Sequence, residues 1–355
     1  MGDKTGIQWT DATWNPVVGC SVISPGCKRC YAMKQAARIE RMTPCTHYAG
    51  TTRMTKAGAV WTGKLAQAPD HILFQPMRWK RSRTIFVNSM SDLFHEAIPD
   101  AWIDRAFAVM ALCPQHRFQV LTKRSKRMRD YMTAHTQEGW MTGHACGRVA
   151  SEIESLRKSD LCRALGLGPN GVGPTPHGEP GATWWPLANV WLGVSTEDQQ
   201  RADERIPDLL ATPAAVRFIS AEPLLGSIDL TRLRREPREG YGLGHLDALR
   251  GWTRGDGHGY REFDAPAKLD WVIAGGESGK DARPMNPQWA RDLRDQCAEA
   301  GVSFFFKQWG EWVSVSEVEG DGPWHTFPDH RSVRRVGKKA AGRHLDGIEH
   351  NEMPA

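Results

Sequence analysis

At 355 residues, with 40% hydrophobic and 25% charged side chains, the chain has the composition of a globular protein able to bury a substantial core. The opening Met1-Gly2-Asp3-Lys4-Thr5-Gly6 holds no signal-like apolar stretch and no myristoylation pattern, and the longest apolar run, residues 106–113, is too short for a bilayer, so the expectation is a cytoplasmic protein with no membrane partner. The net charge of +5 gathers in Lys80-Arg81-Ser82-Arg83, Lys123-Arg124-Ser125-Lys126-Arg127 and Arg334-Arg335-Val336-Gly337-Lys338-Lys339, which read either as solvated ends and loops or as phosphate contacts, with fifteen tryptophans as stacking faces for bases.

Residues 14–19 read as a first strand leading into a turn-rich loop with Cys20, Cys27 and Cys30, and residues 31–41 as the helix behind it. Thr84-Ile85-Phe86-Val87-Asn88-Ser89 has the β-branched and aromatic character of a buried strand, and Pro99-Asp100 starts a helically spaced segment over 101–112. Arg117-Phe118-Gln119-Val120-Leu121-Thr122 is the next strand, followed by a basic helix over 125–133. Residues 135–188 interrupt this alternation with a helix over 149–165 and a Gly/Pro-rich stretch over 166–181. Strands then fall at 190–195, 216–220, 271–275 and 303–307, with helices at 197–210 and 287–300. Residues 231–267, rich in Arg, Gly and Asp, and the tail 313–355 read as loops.

Alternating strands and helices, with near-continuous apolar strands, predict an α/β fold whose parallel sheet is covered by helices. Seven candidate strands suit a full or incomplete (β/α) TIM-like barrel of six to seven parallel strands, one domain over 1–355 with two loop-rich insertions at 135–188 and 231–267. Six strand ends run into polar groups, four of them with Asp or Glu: Asn88-Ser89-Met90-Ser91-Asp92, Thr122-Lys123-Arg124, Ser195-Thr196-Glu197-Asp198, Ser220-Ala221-Glu222, Gly276-Glu277-Ser278 and Lys307-Gln308-Trp309. Barrels build active sites at such ends, although the same residue types cap helices or form ion pairs in any α/β fold.

The cysteine loop carries the most chemical information. Its spacing, Cys-x6-Cys-x2-Cys, puts three thiolate donors in one loop, with Ser24-Pro25-Gly26 as turn residues and Lys28-Arg29 as offsetting charge. Three ligands leave one position of a metal centre open, as in a [4Fe–4S] cluster with a free iron. Structural zinc would need a fourth ligand, for which Cys45, His47, His144 and Cys146 are the candidates, and unligated thiols are the third reading. Cys113, Cys162 and Cys297, like Cys45 and Cys146, are scattered singly and read as ordinary semi-buried side chains, since a reducing compartment disfavours disulfides.

Trp9, Trp14-Asn15-Pro16, the loop ending Cys30-Tyr31-Ala32, Phe86-Val87-Asn88-Ser89-Met90-Ser91-Asp92-Leu93-Phe94, Val120-Leu121-Thr122-Lys123-Arg124, Trp191-Leu192-Gly193-Val194-Ser195, Ser220-Ala221-Glu222-Pro223-Leu224-Leu225, Ala274-Gly275-Gly276-Glu277-Ser278-Gly279 and Phe306-Lys307-Gln308-Trp309-Gly310 together resemble a phage-associated three-cysteine-motif family of unknown function. That family is similar to radical S-adenosylmethionine (SAM) enzymes of the spore photoproduct lyase type. The resemblance implies that Cys20, Cys27 and Cys30 each bind one iron of a [4Fe–4S] cluster. The remaining iron would chelate SAM, whose one-electron cleavage gives methionine and a 5′-deoxyadenosyl radical. It further implies Ser89, Ser91, Glu197, Gly275, Gly276 and Glu277 as cofactor-binding residues, Asp92, Glu222 and Lys307 as catalytic ones, and Lys123 and Arg124 as holders of an anionic substrate. The implied partners are a nucleobase, nucleotide or DNA substrate, an electron donor of the flavodoxin or ferredoxin type, and a protein encoded nearby. Two features depart from the radical SAM pattern. The first cysteine spacer is six residues where three is usual, and Gly275-Gly276-Glu277 follows a late strand where the SAM-amine motif follows the second. Two other classes stay open: a zinc-stabilised nucleic-acid-binding protein, and a barrel hydrolase with a divalent cation on Asp92, Glu197, Glu222 and Glu277.

Overall fold

The computed structural model describes residues 5–43, 46–134, 145–165, 184–235, 244–255, 258–261 and 267–355. Strands β1 (Ala12–Trp14), β2 (Thr84–Val87), β3 (Arg117–Thr122), β4 (Val190–Ser195), β5 (Val216–Ala221), β6 (Trp271–Gly275) and β7 (Ser303–Gln308) form one parallel sheet in chain order. With its flanking helices it is an incomplete, TIM-like (β/α) barrel, as the alternation predicts. Strands β4 and β6 are buried along their whole length, as strands covered on both faces are, and this is why they read as unbroken apolar runs.

The chain divides into two compact units, Met1–Ile23 with Cys30–Leu192 and Thr212–Ala215, and Ser24–Arg29 with Gly193–Ala211 and Val216–Ala355. In the first, β1, β2 and β3 pair in register, Trp14 beside Val87 and Val87 beside Val120. Trp14 meets Phe118 edge-on at 5.9 Å, and the helix Asp100–Ala111 brings Phe107 to Phe94 and Tyr131. In the second, Phe218 stands beside Trp271, which also meets Phe305 edge-on at 6.0 Å. A side chain at Gly193 would reach within 2.5 Å of the Phe218 ring, so glycine is what lets that ring pack against β4. The helix Pro287–Ala300 is bounded by its local chemistry. The Asn286 side chain accepts from Gln288 N, Pro287 fills the first turn, and Gly301 ends it at φ +65°.

Several expectations are corrected. The predicted strand at 14–19 ends at Trp14, because Pro16 has no N–H to donate to a ladder; Val17–Val18 then pairs antiparallel with Ala66–Gln67. The helix predicted over 149–165 is two helices, Ala145–Arg157 and Asp160–Ala164, with the Ser159 side chain capping the second. Part of the 231–267 loop is an antiparallel sheet of Leu233–Arg235, Gly244–Asp247, Trp252–Gly255 and His258–Arg261. The tail holds a second one, Trp312–Ser314, Ser332–Arg335 and Trp324–Thr326, followed by the helical turn Lys338–Ala341. A hairpin of Thr52–Thr55 and Gly58–Trp61 was not expected. The stretch 166–181, Cys45 and His144 lie outside the described residues. Trp9, Trp14, Trp61, Trp79, Trp191, Trp271 and Trp309 are all buried, so much of the tryptophan content serves packing. No helix among the described residues is long and apolar enough to cross a membrane.

Candidate functional site

In the first unit the ends of β1, β2 and β3 converge on the start of the cysteine loop. Gly19 bridges to Ser91 and takes the carbonyl of Met90 at 3.2 Å; its φ of +90° and a Cβ position only 2.1 Å from the Lys64 carbonyl require glycine there. Asn15 holds the β2 end by accepting from Ser89 Oγ at 3.2 Å and Met90 N at 2.9 Å, and Ser91 Oγ donates to Val17 O at 2.8 Å. Asp92 is saturated. One oxygen accepts from Thr122 Oγ1 at 2.6 Å and Phe94 N at 3.1 Å, the other from Lys123 N at 2.9 Å and Arg124 Nη1 at 3.0 Å. Asp92 therefore acts as an anchor for Arg124 and its loop, with no lone pair aimed at open space.

Arg124 is 5% exposed and is the hub of this region. Nη1 donates to Cys20 Sγ at 3.6 Å, Nη2 to Ser21 Oγ at 2.8 Å and to Ser21 O at 3.3 Å, and Nε to Glu96 at 3.4 Å. Burial works against its charge, but Asp92, Cys20 and Glu96 outweigh that and hold the guanidinium ionised. Burial pushes the Cys20 thiol up to about 12, with Arg124 pulling the other way. Ser21 Oγ also meets His95 Nε2 at 2.9 Å, and Ala97 N–H donates to His95 Nδ1, so the ring proton sits on Nε2. Burial first and Arg124 second lower the His95 pKa and keep the ring neutral. Cys30 lies near enough to act on the Cys20 thiol, and it stands at the N-terminal end of the helix Tyr31–Met42, where the helix dipole is positive, without a side-chain capping bond. Lys123 contributes its backbone to Asp92, and its ammonium makes no ion pair among the described residues.

In the second unit Pro25–Cys27 form a 3₁₀ turn with Ser24 Oγ 3.6 Å from Cys27 Sγ. Two strand-end carboxylates fasten this turn. Glu197, 1% exposed, accepts from Gly26 N at 3.1 Å and from Arg205 at 2.9 Å. Glu277 accepts from Arg283 N and Nε at 2.8 and 2.9 Å, from Arg283 Nη2 at 2.6 Å and from Arg29 at 3.2 Å, while Arg283 Nη1 donates to Pro25 O. Burial raises the Glu277 pKa, but Arg283 and then Arg29 overcome it and hold the carboxyl below its usual range. Glu222 pairs with Lys307 Nζ at 2.8 Å and accepts from Gln308 at 3.2 Å. A Cβ on Gly276 would lie 1.9 Å from the Trp309 carbonyl, whereas one on Gly275 would meet nothing closer than 3.3 Å. The absent side chain of Gly276 is thus spent on the close approach of β6 to the chain after β7.

Sequence reasoning missed the partners Ser21, His95, Arg205 and Arg283, and read Arg29 as charge offsetting the thiolates, whereas its guanidinium pairs with Glu277. Arg205, eight residues after Glu197 and two helical turns along, had a readable spacing; His95 and Arg283 did not. It named Asn88 among the strand-end polar groups but gave it no role; at the end of β2 with φ +59° it is 3% exposed, and both side-chain amide atoms are buried without a partner. Thr196 Oγ1 and Gln308 Oε1 in the second unit are likewise buried and unpartnered. Such groups cost about 1–3 kcal/mol each while unmet, so strand ends that carry them suit a polar ligand. Cys20, Cys27 and Cys30 are in no disulfide and are soft donors whose chemistry suits an iron–sulfur cluster. Among the described residues no group of three or more His, Cys, Asp or Glu side chains is gathered as around a metal ion.

No curated protein and no solved structure matches the chain. A family model described as "Protein of unknown function (DUF5131)" matches residues 4–354. Nearly the whole chain is covered, strand ends and cysteine loop included, and the protein belongs to the DUF5131 family.

Proposed function

We propose that the protein is an iron–sulfur enzyme of the radical SAM type, acting on a nucleobase, nucleotide or DNA. The supporting observation is the dedication of a buried ion pair, Arg124–Asp92, to a cysteine: a guanidinium fixed by four groups is turned onto the Cys20 thiol. A merely structural loop has no use for a buried cation on a thiol, whereas a thiolate cluster with net negative charge does. Cys20, Cys27 and Cys30 would hold the cluster, and when bound it supplies the electron that cleaves SAM, delivered by a flavodoxin or ferredoxin type of donor. Arg124 offsets thiolate charge, and Asp92 fixes its orientation. Asn88 offers a buried donor and acceptor pair to a polar ligand, and Lys123 a free ammonium to an anionic group. Glu222 and Lys307, each about one-sixth exposed, hold one another as an ion pair, and either acts on a ligand only once that pair is broken.

The divalent-cation hydrolase is disfavoured by the same geometry. Each of its four carboxylates already has a cation, Arg124 on Asp92, Arg205 on Glu197, Lys307 on Glu222 and Arg283 on Glu277. The deciding experiment is anaerobic purification with metal and sulfide analysis, then a reductant-dependent assay for 5′-deoxyadenosine from SAM. About four irons and four sulfides per chain are expected, lost in Cys20→Ala and Cys30→Ala. Zinc without iron, or no 5′-deoxyadenosine from iron-replete protein, overturns the reading.

A further inference from the structure

The basic runs that stand out in the sequence are neutralised only in part: Lys80, Arg81, Lys126, Lys338 and Lys339 are exposed and make no ion pair among the described residues. Arg124 is buried on Asp92, Arg127 pairs with Asp100, Arg83 lies 4.9 Å over Trp79, and Arg334 lies 4.4 Å over Trp324. A further set of unneutralised cations is gathered on one element, the helix that starts at Cys30. Lys34, Arg38 and Arg41 occupy one face of Tyr31–Met42 at spacings of four and three residues. Arg53 and Lys56 stand on the facing hairpin, Lys56 in its two-residue turn. All five are exposed, and among the described residues none of them makes an ion pair or a side-chain hydrogen bond.

Helix and hairpin enclose a groove of about 480 Å³. Its floor is small, with Ala37, Gly58 and Ala59; its walls are Lys34, Arg38 and Arg41 on one side and Met54, 73% exposed, on the other. The single lining carboxylate, Glu40, accepts from Gly50 N at 2.8 Å. The groove is continuous with the thiols: Ala32, Met33 and Ala36 of the helix pack with Ala59 and Trp61 of the hairpin, and Cys20 and Cys30 pack against that same cluster.

From this arrangement we infer that the groove is the docking track for a single-stranded stretch of nucleic acid, whose phosphates lie along Lys34, Arg38 and Arg41 with a base against the Met54 thioether. Rises of about 6 Å from Lys34 to Arg38 and about 4.5 Å from Arg38 to Arg41 are the scale of successive phosphates on a strand, which suits a polynucleotide. A floor of glycine and alanine admits an extended chain and leaves little depth for an acidic helix. Strand-binding grooves pair a cationic track with a face against which bases pack, commonly an aromatic ring; here the exposed Met54 thioether takes that place. The inference rests on the nucleic-acid part of the proposed function and narrows its substrate from nucleotide to polynucleotide.

The test is fluorescence anisotropy of the full chain with a labelled oligonucleotide of about 16 nucleotides, over a salt series. Lys34→Ala/Arg38→Ala/Arg41→Ala is compared with wild type and with Lys158→Ala/Arg232→Ala/Lys280→Ala, which removes equal charge elsewhere. The groove variant is expected to bind at least about 10-fold more weakly at moderate salt and to lower the slope of log K against log salt by about 2, three contacts at about 0.7 each. The control variant should match wild type, and both should keep wild-type iron content. Equal weakening in groove and control variants overturns the track and leaves the nucleic-acid reading standing. No binding by wild type at low salt overturns both, while iron content and SAM cleavage judge the chemistry separately. Binding of polyglutamate or anionic vesicles through the same residues, in place of the oligonucleotide, also overturns the proposal.

Discussion

Two buried ion pairs, Asp92–Arg124 in the first unit and Glu197–Arg205 in the second, look alike and are built for different ends. Asp92 takes three donors besides its arginine, and the arginine then spends its remaining N–H groups on Cys20, Ser21 and Glu96. Arg205 instead turns back to its own strand end, donating to Ser195 O at 2.8 Å as well as to Glu197, while Glu197 holds the backbone of Gly26. One pair addresses a side chain that can react; the other fixes a backbone. A strand-end carboxylate in a barrel is thus poor evidence for acid–base chemistry until its partners are known, and the position of the arginine carries more information than that of the acid.

The largest expected effect is on the second pair. Arg205→Ala leaves Glu197 buried and uncompensated and should cost about 3–5 kcal/mol in denaturant unfolding, most of it recovered in Arg205→Met/Glu197→Leu. Arg124→Ala should cost less, about 2 kcal/mol, because Asp92 keeps its other donors, yet it should be the one that lowers iron retention. Equal stability losses with equal iron content would erase the contrast. Next comes Gly276→Ala, which drives a methyl into the Trp309 carbonyl and should cost about 1–3 kcal/mol, against less than about 1 for Gly275→Ala, as read by thermal melting. The smallest effect concerns pH. Because Glu277 titrates below its ordinary 4.5, the stability it contributes is complete above that value and is lost as pH falls through the lower, folded one. Urea unfolding across the acid range should show a steeper decline in wild type than in Glu277→Gln; parallel declines would remove Glu277 from the fastening of the 24–29 turn.

The sheet was legible because a parallel strand covered on both faces must be apolar throughout, as Val190–Ser195 and Trp271–Gly275 are. The small antiparallel sheets were not, since Ser332–Arg335 or Thr52–Thr55 is stabilised by pairing with a neighbour and carries no apolar period of its own. In the candidate site the acids and cysteines stood out by type and spacing. Their partners did not, because Arg283 reaching Pro25, or Arg124 reaching Ser21, is a contact made by topology across hundreds or scores of residues. The free cations of the Tyr31–Met42 helix had a readable signal, a four-then-three spacing, but louder basic runs elsewhere drew attention from it.

The left-handed Asn88, with its amide shut away and unanswered, turns the protein into its own screening device. Whatever molecule answers that amide will be rewarded with tighter folding, and so will announce itself as a rise in melting temperature. A compound library run against wild type and Asn88→Ala side by side would sort genuine occupants, which raise only the former, from bystanders, which raise both. The natural guest can therefore be sought by its effect on folding, independently of the reaction it undergoes.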